Sequence, residues 1–308
     1  MALQGSVVVT GGSGFIGRAV VRAFRERGAP VTVVDRIPYP AGDDGVTCVV
    51  GELGDAKVRE AAVTAETVGI VHLAALTSVL KSVEVPLQTY SDNVAVTQEL
   101  LELARRHEIG RFVFASTNAV IGDVKTETIT VDLPSRPLTP YGATKAACEM
   151  LMSGYSGAYG LTTCALRFTN VYGPGMSHKD SFVPRLMRAA LAGTGVRIYG
   201  DGSQRRDLVH VDDVVRAVLL AFGSGYSGRA IVGAGRSVSV LELVETVRGV
   251  TGAELPAEHV EAPAGEMPAV VVDLSASAAT IGYWPTVSLA DGLATAWKYF
   301  LEVEGFAW

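Results

Sequence analysis

Residues 6–28, SVVVTGGSGFIGRAVVRAFRERG, decide the fold. Ser6–Thr10 is a short β-branched run of the kind that forms a strand buried on both faces. Residues 15–27 then bring Phe15, Ile16, Ala19, Val20 and Ala23 onto one helical face, and Gly28 stops that helix. Between strand and helix lies a turn with Gly11, Gly14 and Gly17. Gly11 permits the tight turn, Gly14 lets the backbone approach a pyrophosphate, and Gly17 lets helix and sheet pack closely. The free N–H groups of the helix N-terminus offer that anion a partial positive charge. A strand, a glycine turn and a helix in this order point to a bound dinucleotide.

Outward from this unit, strands are read at Val31–Asp35 and at 47–50, 70–73 and 111–115, with helices between them. The longest helix, about residues 86–107, opens with Pro86 at a tolerated first-turn position. Such alternation implies an α/β, Rossmann-type, doubly wound parallel sheet. It is assigned to residues 1–168. After Arg167 the rhythm changes. Residues 169–179 read as a loop, followed by a helix at 181–191, a strand at Val196–Tyr199, and helices at 211–222, Val240–Thr251 and 289–302. Residues 169–308 are therefore read as a smaller α/β substrate-binding lobe, the whole being one large or two interlocked domains.

Asp35 closes the second strand, where a carboxylate accepts hydrogen bonds from ribose hydroxyls and repels a 2′-phosphate. NAD is thus expected in preference to NADP, with the neighbouring Arg36 the one contrary feature. The chain of 308 residues is 48% hydrophobic and 19% charged, which excludes intrinsic disorder. Its net charge of −6, without a basic block, argues against a nucleic-acid partner. The longest charge-free stretches, 150–166 and 274–290, are broken by Gly, Ser, Thr and Pro and fall short of a membrane span. The start MALQGSVVVTGG has neither a basic segment nor a cleavage site. Cys48, Cys148 and Cys164 stand at no metal-ligand spacing, so no metal is expected. A cytoplasmic protein is the expectation.

Tyr141 and Lys145 stand four apart, on one face of a helix. A lysine ammonium beside a phenol favours the phenolate, a base for a hydroxyl proton while hydride leaves the same carbon. Thr117, at the end of the strand near 111–115, is placed to bond the same substrate oxygen.

These residues, with HLAA at 72–75, FASTNAVIG at 114–122, LRFTNVYGPG at 166–175 and YGDGSQRRDLVHVDD at 199–213, resemble the extended short-chain dehydrogenase/reductase superfamily. The resemblance is closest to its NAD-dependent nucleotide-sugar epimerase/dehydratase branch, the UDP-glucose 4-epimerase-like enzymes, and runs over nearly the whole chain. It implies that Gly11, Gly14, Phe15, Ile16 and Gly17 hold the NAD pyrophosphate and that Asp35 and Arg36 flank the ribose. Glu52 and Leu53 would surround the adenine. Leu73, Ala74, Ala75, Asn93 and Ala115 would line the cofactor's remaining length, with Tyr141 and Lys145 on the nicotinamide ribose. Thr117, Tyr141 and Lys145 would be catalytic. For the substrate, the resemblance implies Thr77, Thr117 and Tyr141 near the sugar, Asn170 and Arg206 on the diphosphate, and Phe182, Val183 and Tyr199 around the base. A guanidinium such as that of Arg206 forks onto phosphate oxygens in any fold.

Relatives that eliminate water carry an Asp-Glu pair after the catalytic Thr, whereas Asn118 and Ala119 stand here and neither exchanges a proton at neutral pH. The motif left is that of a 4-epimerase acting on a UDP-hexose through a transient 4-keto sugar. The rivals are a UDP-glucuronate or UDP-N-acetylglucosamine 4-epimerase, a dehydratase or ketoreductase, and a silent NAD-sensing regulator. An arginine usual in a late R-P-G-D stretch is missing at Pro263-Ala264-Gly265-Glu266. His178, Lys179, Arg185 and Arg188 are candidate replacements, and a lysine there would also suit a substrate carboxylate. A small Val270 hints at room for an N-acetyl group. Two apolar faces point to a homodimer or, equally, to ordinary core: Val94, Leu100, Leu101 and Ala104 on one helix, and Ala147, Met150, Leu151 and Tyr155 on another.

Overall fold

The computed structural model describes residues 5–124, 128–261 and 269–304. The chain opens with β1 (Ser6–Thr10), α1 (Phe15–Arg25), β2 (Val31–Asp35), β3 (Val46–Val50), α2 (Ala56–Ala62), β4 (Thr67–His72) and α3 (Val79–Glu84). Next come α4 (Pro86–Tyr90), a π-turn at Ser91–Ala95, α5 (Val96–Arg106), β5 (Arg111–Thr117), a 3₁₀ turn at Asn118–Val120, α6 (Pro140–Tyr159) and β6 (Thr162–Phe168). The remainder runs β7 (Asn170–Tyr172), α7 (Phe182–Ala192), β8 (Val196–Tyr199), β9 (Arg205–His210), α8 (Val211–Ser224), β10 (Gly228–Val232) and β11 (Ser237–Ser239). It ends with α9 (Val240–Thr251), β12 (Ala257–Val260), α10 (Ser275–Ile281) and α11 (Leu289–Val303).

Seven parallel strands form the main sheet in the order β10-β6-β5-β4-β1-β2-β3. Val7 and Val9 pack on one face of it and Val8 on the other, all fully buried, as a sheet covered by helices on both sides requires. Because β1 lies between β2 and β4, successive connections leave it in opposite directions. A crevice therefore opens beyond the carboxyl ends of β1 and β4, where ligands bind in such sheets.

Residues 211–232, beyond the division at 168 read from the sequence, return to this sheet. Here β10 pairs with β6, and Phe222 of α8 meets Phe24 of α1 edge to face at 5.1 Å. Of the smaller sheets, β11-β9-β7 contributes residues to the wall of the crevice, and β12-β8 contributes none among the described residues. The stretch 169–179, expected as a loop, contains β7, because Asn170–Tyr172 finds a parallel partner in β9. The single helix expected over 86–107 is stepped by the π-turn, which no local sequence signal announces.

Val94, Leu100, Leu101 and Ala104 are core residues packed under the sheet, so that apolar face is spent within the chain. Met150 of α6 is 70% exposed and shares a shallow surface depression with the exposed Tyr90, while Leu80 of α3 and Leu87 of α4 are exposed as well. Val270 is likewise a core residue, away from the crevice, so its size says nothing of an N-acetyl group. Among the described residues no helix is long and apolar enough to cross a membrane. The segment 263–266, with its missing arginine, lies outside the described residues.

One charge pair is fully enclosed. Arg167 on β6 donates to both carboxylate oxygens of Glu149 on α6 at 3.0 and 2.7 Å, and the Ser116 hydroxyl of β5 donates to the same carboxylate at 2.5 Å. Removing one partner leaves a buried charge uncompensated, whereas replacing both by apolar groups does not. Glu149→Gln should lower unfolding stability by about 3 kcal/mol, and Glu149→Leu combined with Arg167→Met by clearly less. Urea denaturation of the two variants measures the difference.

Candidate active site

The glycine turn is held by contact with its surroundings. A Cβ on Gly17 would stand 2.0 Å from the Gly11 carbonyl oxygen, and one on Gly11, whose φ is +69°, 2.9 Å from the Ala74 nitrogen. No side chain fits at either place. The turn therefore lies against both the first turn of α1 and the segment leaving β4. Gly14 caps α1 in extended conformation with no side-chain cap, which leaves the helix N–H groups facing the crevice. Asp35 is fixed beside them, its carboxylate accepting from the backbone N–H of Ser13 at 3.0 Å and of Ile37 at 3.3 Å. An uncapped helix start, a glycine cradle and an acidic strand end fit a dinucleotide.

The crevice is a cleft of about 910 Å³, at the upper end of the range for small-molecule sites. Gly11, Gly14, Phe15, Ile16, Gly17, Asp35, Arg36, Glu52, Leu53, Leu73, Ala74, Ala75 and Ala115 line it. So do Thr77, Thr117, Tyr141, Lys145, Asn170, Phe182, Val183 and Arg206. Two expected residues do not. Tyr199 stands on β8, 43% exposed and outside the lining, and Asn93 is buried behind the wall. The Asn93 amide accepts from the Leu76 N–H at 2.8 Å and donates to the Leu76 carbonyl and to the Thr144 hydroxyl at 3.2 and 3.0 Å. Its place in the structure is thus behind the segment that faces the cofactor end.

Of the four cations weighed for the loop after Pro174, Lys179 lines the cleft. Arg185 is paired with Asp180 at 2.8 and 2.7 Å, and Arg188 donates to the Ser177 and Lys179 carbonyls, so both brace the loop. Lys81, Asp92, Val238, Ser239 and Leu243 also line the cleft and were not singled out by the sequence. They arrive from α3, the π-turn, β11 and α9, which only the tertiary fold brings together.

At the floor, the Tyr141 phenol and the Thr117 hydroxyl line the cleft together. Burial pushes the phenol up to about 12, and the Thr117 hydroxyl opposes this. The lowered phenol expected from a neighbouring lysine is absent for a geometric reason. The Lys145 ammonium donates to the Ala115 carbonyl at 2.7 Å and lies 4.4 Å over the Phe114 ring. It is itself buried, and burial holds it down at about 8 against the attraction of Cys148 and Glu149. Beside Thr117, both polar atoms of the Asn118 amide are buried and have no partner among the described residues.

The lysine makes a test possible. An unfolded chain holds this proton up to the ordinary value of 10.5, and the folded chain releases it near 8. Between those values the unfolded state binds more protons, so this site's contribution to stability rises with pH. The unfolding free energy of the wild type minus that of Lys145→Met should therefore climb from pH 8 to 10. A flat difference in urea titrations contradicts the assignment.

Comparison with known proteins agrees with this geometry. Residues 7–233 match the model of the NAD dependent epimerase/dehydratase family. The chain is 34% identical over 310 residues to a dTDP-glucose 4,6-dehydratase of Streptomyces griseus, covering 95% of this chain and 94% of that protein. Among solved structures, it is similar to the UDP-glucose 4-epimerase of Thermotoga maritima with UDP-glucose, at a TM-score of 0.91 and 31% identity. That match covers 97% of this chain and 99% of the other. It is also similar to MoeE5 in complex with UDP-glucuronic acid and NAD, at a TM-score of 0.89, 35% identity and the same coverage. The chain belongs to the NAD-dependent epimerase/dehydratase family.

Proposed function

We propose that this protein is a nucleotide-sugar 4-epimerase that inverts C4 of a UDP-hexose with NAD held in the glycine-turn half of the cleft. The observation that carries the reading is the segment Thr117-Asn118-Ala119, which supplies a hydroxyl beside Tyr141 and no carboxyl after it. Elimination of water needs an acid and a base in addition to the tyrosine. Among the described residues the carboxylates lining the cleft are Asp35, Glu52 and Asp92, from the ends of β2 and β3 and from the π-turn, and none of these comes from the segment after β5. A homodimer joined across the exposed faces of α3, α4 and α6 belongs to the same reading.

NAD, when bound, accepts hydride from the sugar carbon and gives it back. The chain's own part is to move one proton and to hold two ligands. Tyr141 takes the C4 hydroxyl proton as that carbon becomes a ketone and returns it after the sugar has turned over. Thr117 keeps the phenol oriented and lowers the cost of its charge. Lys145, its ammonium fixed on the Ala115 carbonyl, lines the cleft beside Tyr141 and would hold the nicotinamide ribose. Asn170 and Arg206 anchor the diphosphate, so that the sugar ring is left free to present either face. Phe182 and Val183 of α7 offer apolar surface to the base.

A UDP-glucuronate substrate is the second reading, favoured by Lys179 at the cleft, a partner for a sugar carboxylate. Conversion of UDP-galactose to UDP-glucose, read by a coupled dehydrogenase, tests the first reading, and proton NMR of UDP-galacturonate incubated with the protein, looking for the C4 epimer, tests the second. Tyr141→Phe should reduce turnover by about 10²–10⁴-fold in whichever assay responds, and Thr117→Val by less. A Tyr141→Phe variant with full turnover would remove the proposed mechanism.

A further inference from the structure

His72 ends β4 opposite Thr10, the last residue of β1. Its imidazole is fully buried beside the Phe112 and Phe114 rings, at 6.1 and 5.6 Å between centroids. In such surroundings a polar ring persists only when every polar atom is paired. Both nitrogens are. The Thr10 hydroxyl lies 2.6 Å from Nδ1, and the Thr97 hydroxyl lies 3.1 Å from Nε2.

The direction of each bond follows from its neighbours. Thr10 Oγ1 already accepts from the backbone N–H groups of Leu73 and Ala74, both at 3.2 Å, so its proton goes to Nδ1. Nε2 therefore carries the imidazole proton and donates it to Thr97. The Thr97 hydroxyl in turn donates to the Asn93 carbonyl at 2.5 Å. The Asn93 amide donates to Thr144, whose hydroxyl donates to the Tyr141 carbonyl at 2.8 Å. A one-way series of donors thus runs from the residue before the glycine turn to the residue that bears the phenol. The π-turn at Ser91–Ala95 places Asn93 within it, a device that often marks functional places in helices.

We propose that His72 is a positioning residue for the cofactor. By accepting the Thr10 proton it keeps Thr10 Oγ1 turned to the Leu73 and Ala74 amides, which fixes the Leu73–Ala75 wall against the glycine turn where NAD lies. The contact is close. The Ala74 nitrogen would meet a Cβ on Gly11 at 2.9 Å, so a small shift of this wall alters the cradle itself. Protonation at Nδ1 would set three donors against one hydroxyl oxygen. The ring stays neutral because burial and the Lys145 charge hold it down at about 3.

The inference rests on NAD binding in this cleft and not on which sugar is turned over. The test is the NAD dissociation constant of the full-length protein by calorimetry, alongside its melting temperature. His72→Phe fills the same apolar space and lacks both nitrogens. It should weaken NAD binding by about tenfold, the size expected when buried polar partners lose their mates. His72→Gln, with an oxygen to accept from Thr10 and an amide to donate to Thr97, should recover most of that loss. Should His72→Phe fail to fold, Thr97→Val removes the hydroxyl that pairs with Nε2 and donates to the Asn93 carbonyl, leaves the Thr10–Nδ1 bond in place, and should shift affinity in the same direction, with Thr97→Ser restoring it. Lower melting temperatures with unchanged NAD affinity would reduce His72 to a structural residue and overturn the proposal. So would a His72→Gln protein that recovers its melting temperature and not its affinity. A wild type that binds no NAD would instead overturn the cofactor placement.

Discussion

The approach of α1 to the turn that precedes it is the contact on which the rest depends. At Gly17 the helix backbone comes so near Gly11 and Gly12 that a methyl group would overlap both, at 2.0 and 2.7 Å. That closeness sets the start of α1 at the place where the strand order divides around β1. It also exposes uncapped N–H groups there. The helix dipole and those donors make an anion site before any side chain contributes. Asp35, next strand over, is then within reach of the same turn through the Ser13 N–H.

Behind this surface lie two enclosed polar assemblies, and both bear on the reacting residues. Arg167, Glu149 and Ser116 tie β6, α6 and β5 together directly under Thr117. The chain from Thr10 through His72 to Thr144 ties β1, β4, α5 and α6 together under the cofactor wall. Buried polar groups are costly when unpaired and directional when paired, so each assembly admits one arrangement of its strands and helices. Tyr141 and Lys145 are both displaced from their ordinary proton affinities chiefly by burial.

Much of this was legible in the residues. Ser6–Thr10 and Phe15–Arg25 declare themselves by β-branching, by helical periodicity and by glycines whose spacing has a steric meaning. The position of Tyr141 and Lys145 on one helix follows from their separation. Tertiary decisions were not legible. The π-turn inside 86–107 contains Asn93, whose amide bonds to Leu76 and Thr144 join segments far apart in sequence. β7 exists only because β9 lies beside it. The aim of Lys145 toward the Ala115 carbonyl, and with it the raised phenol, depends on how deep α6 sits on β5. Tyr199, plausible by its motif, is turned away because β8 pairs with β12 at the far side of the lobe.

The family contains both epimerases and dehydratases, and the two part company over where a hydrogen removed from C4 ends. The central claim is that this cleft returns it to C4, for want of a carboxyl pair after Thr117. UDP-[4-²H]glucose incubated with the purified protein and NAD, with the products followed by NMR, reads that fate directly. The account predicts deuterium retained at C4 in both the glucose and the galactose configuration, with no water lost. Deuterium at C6 of a 4-keto-6-deoxy sugar would contradict it.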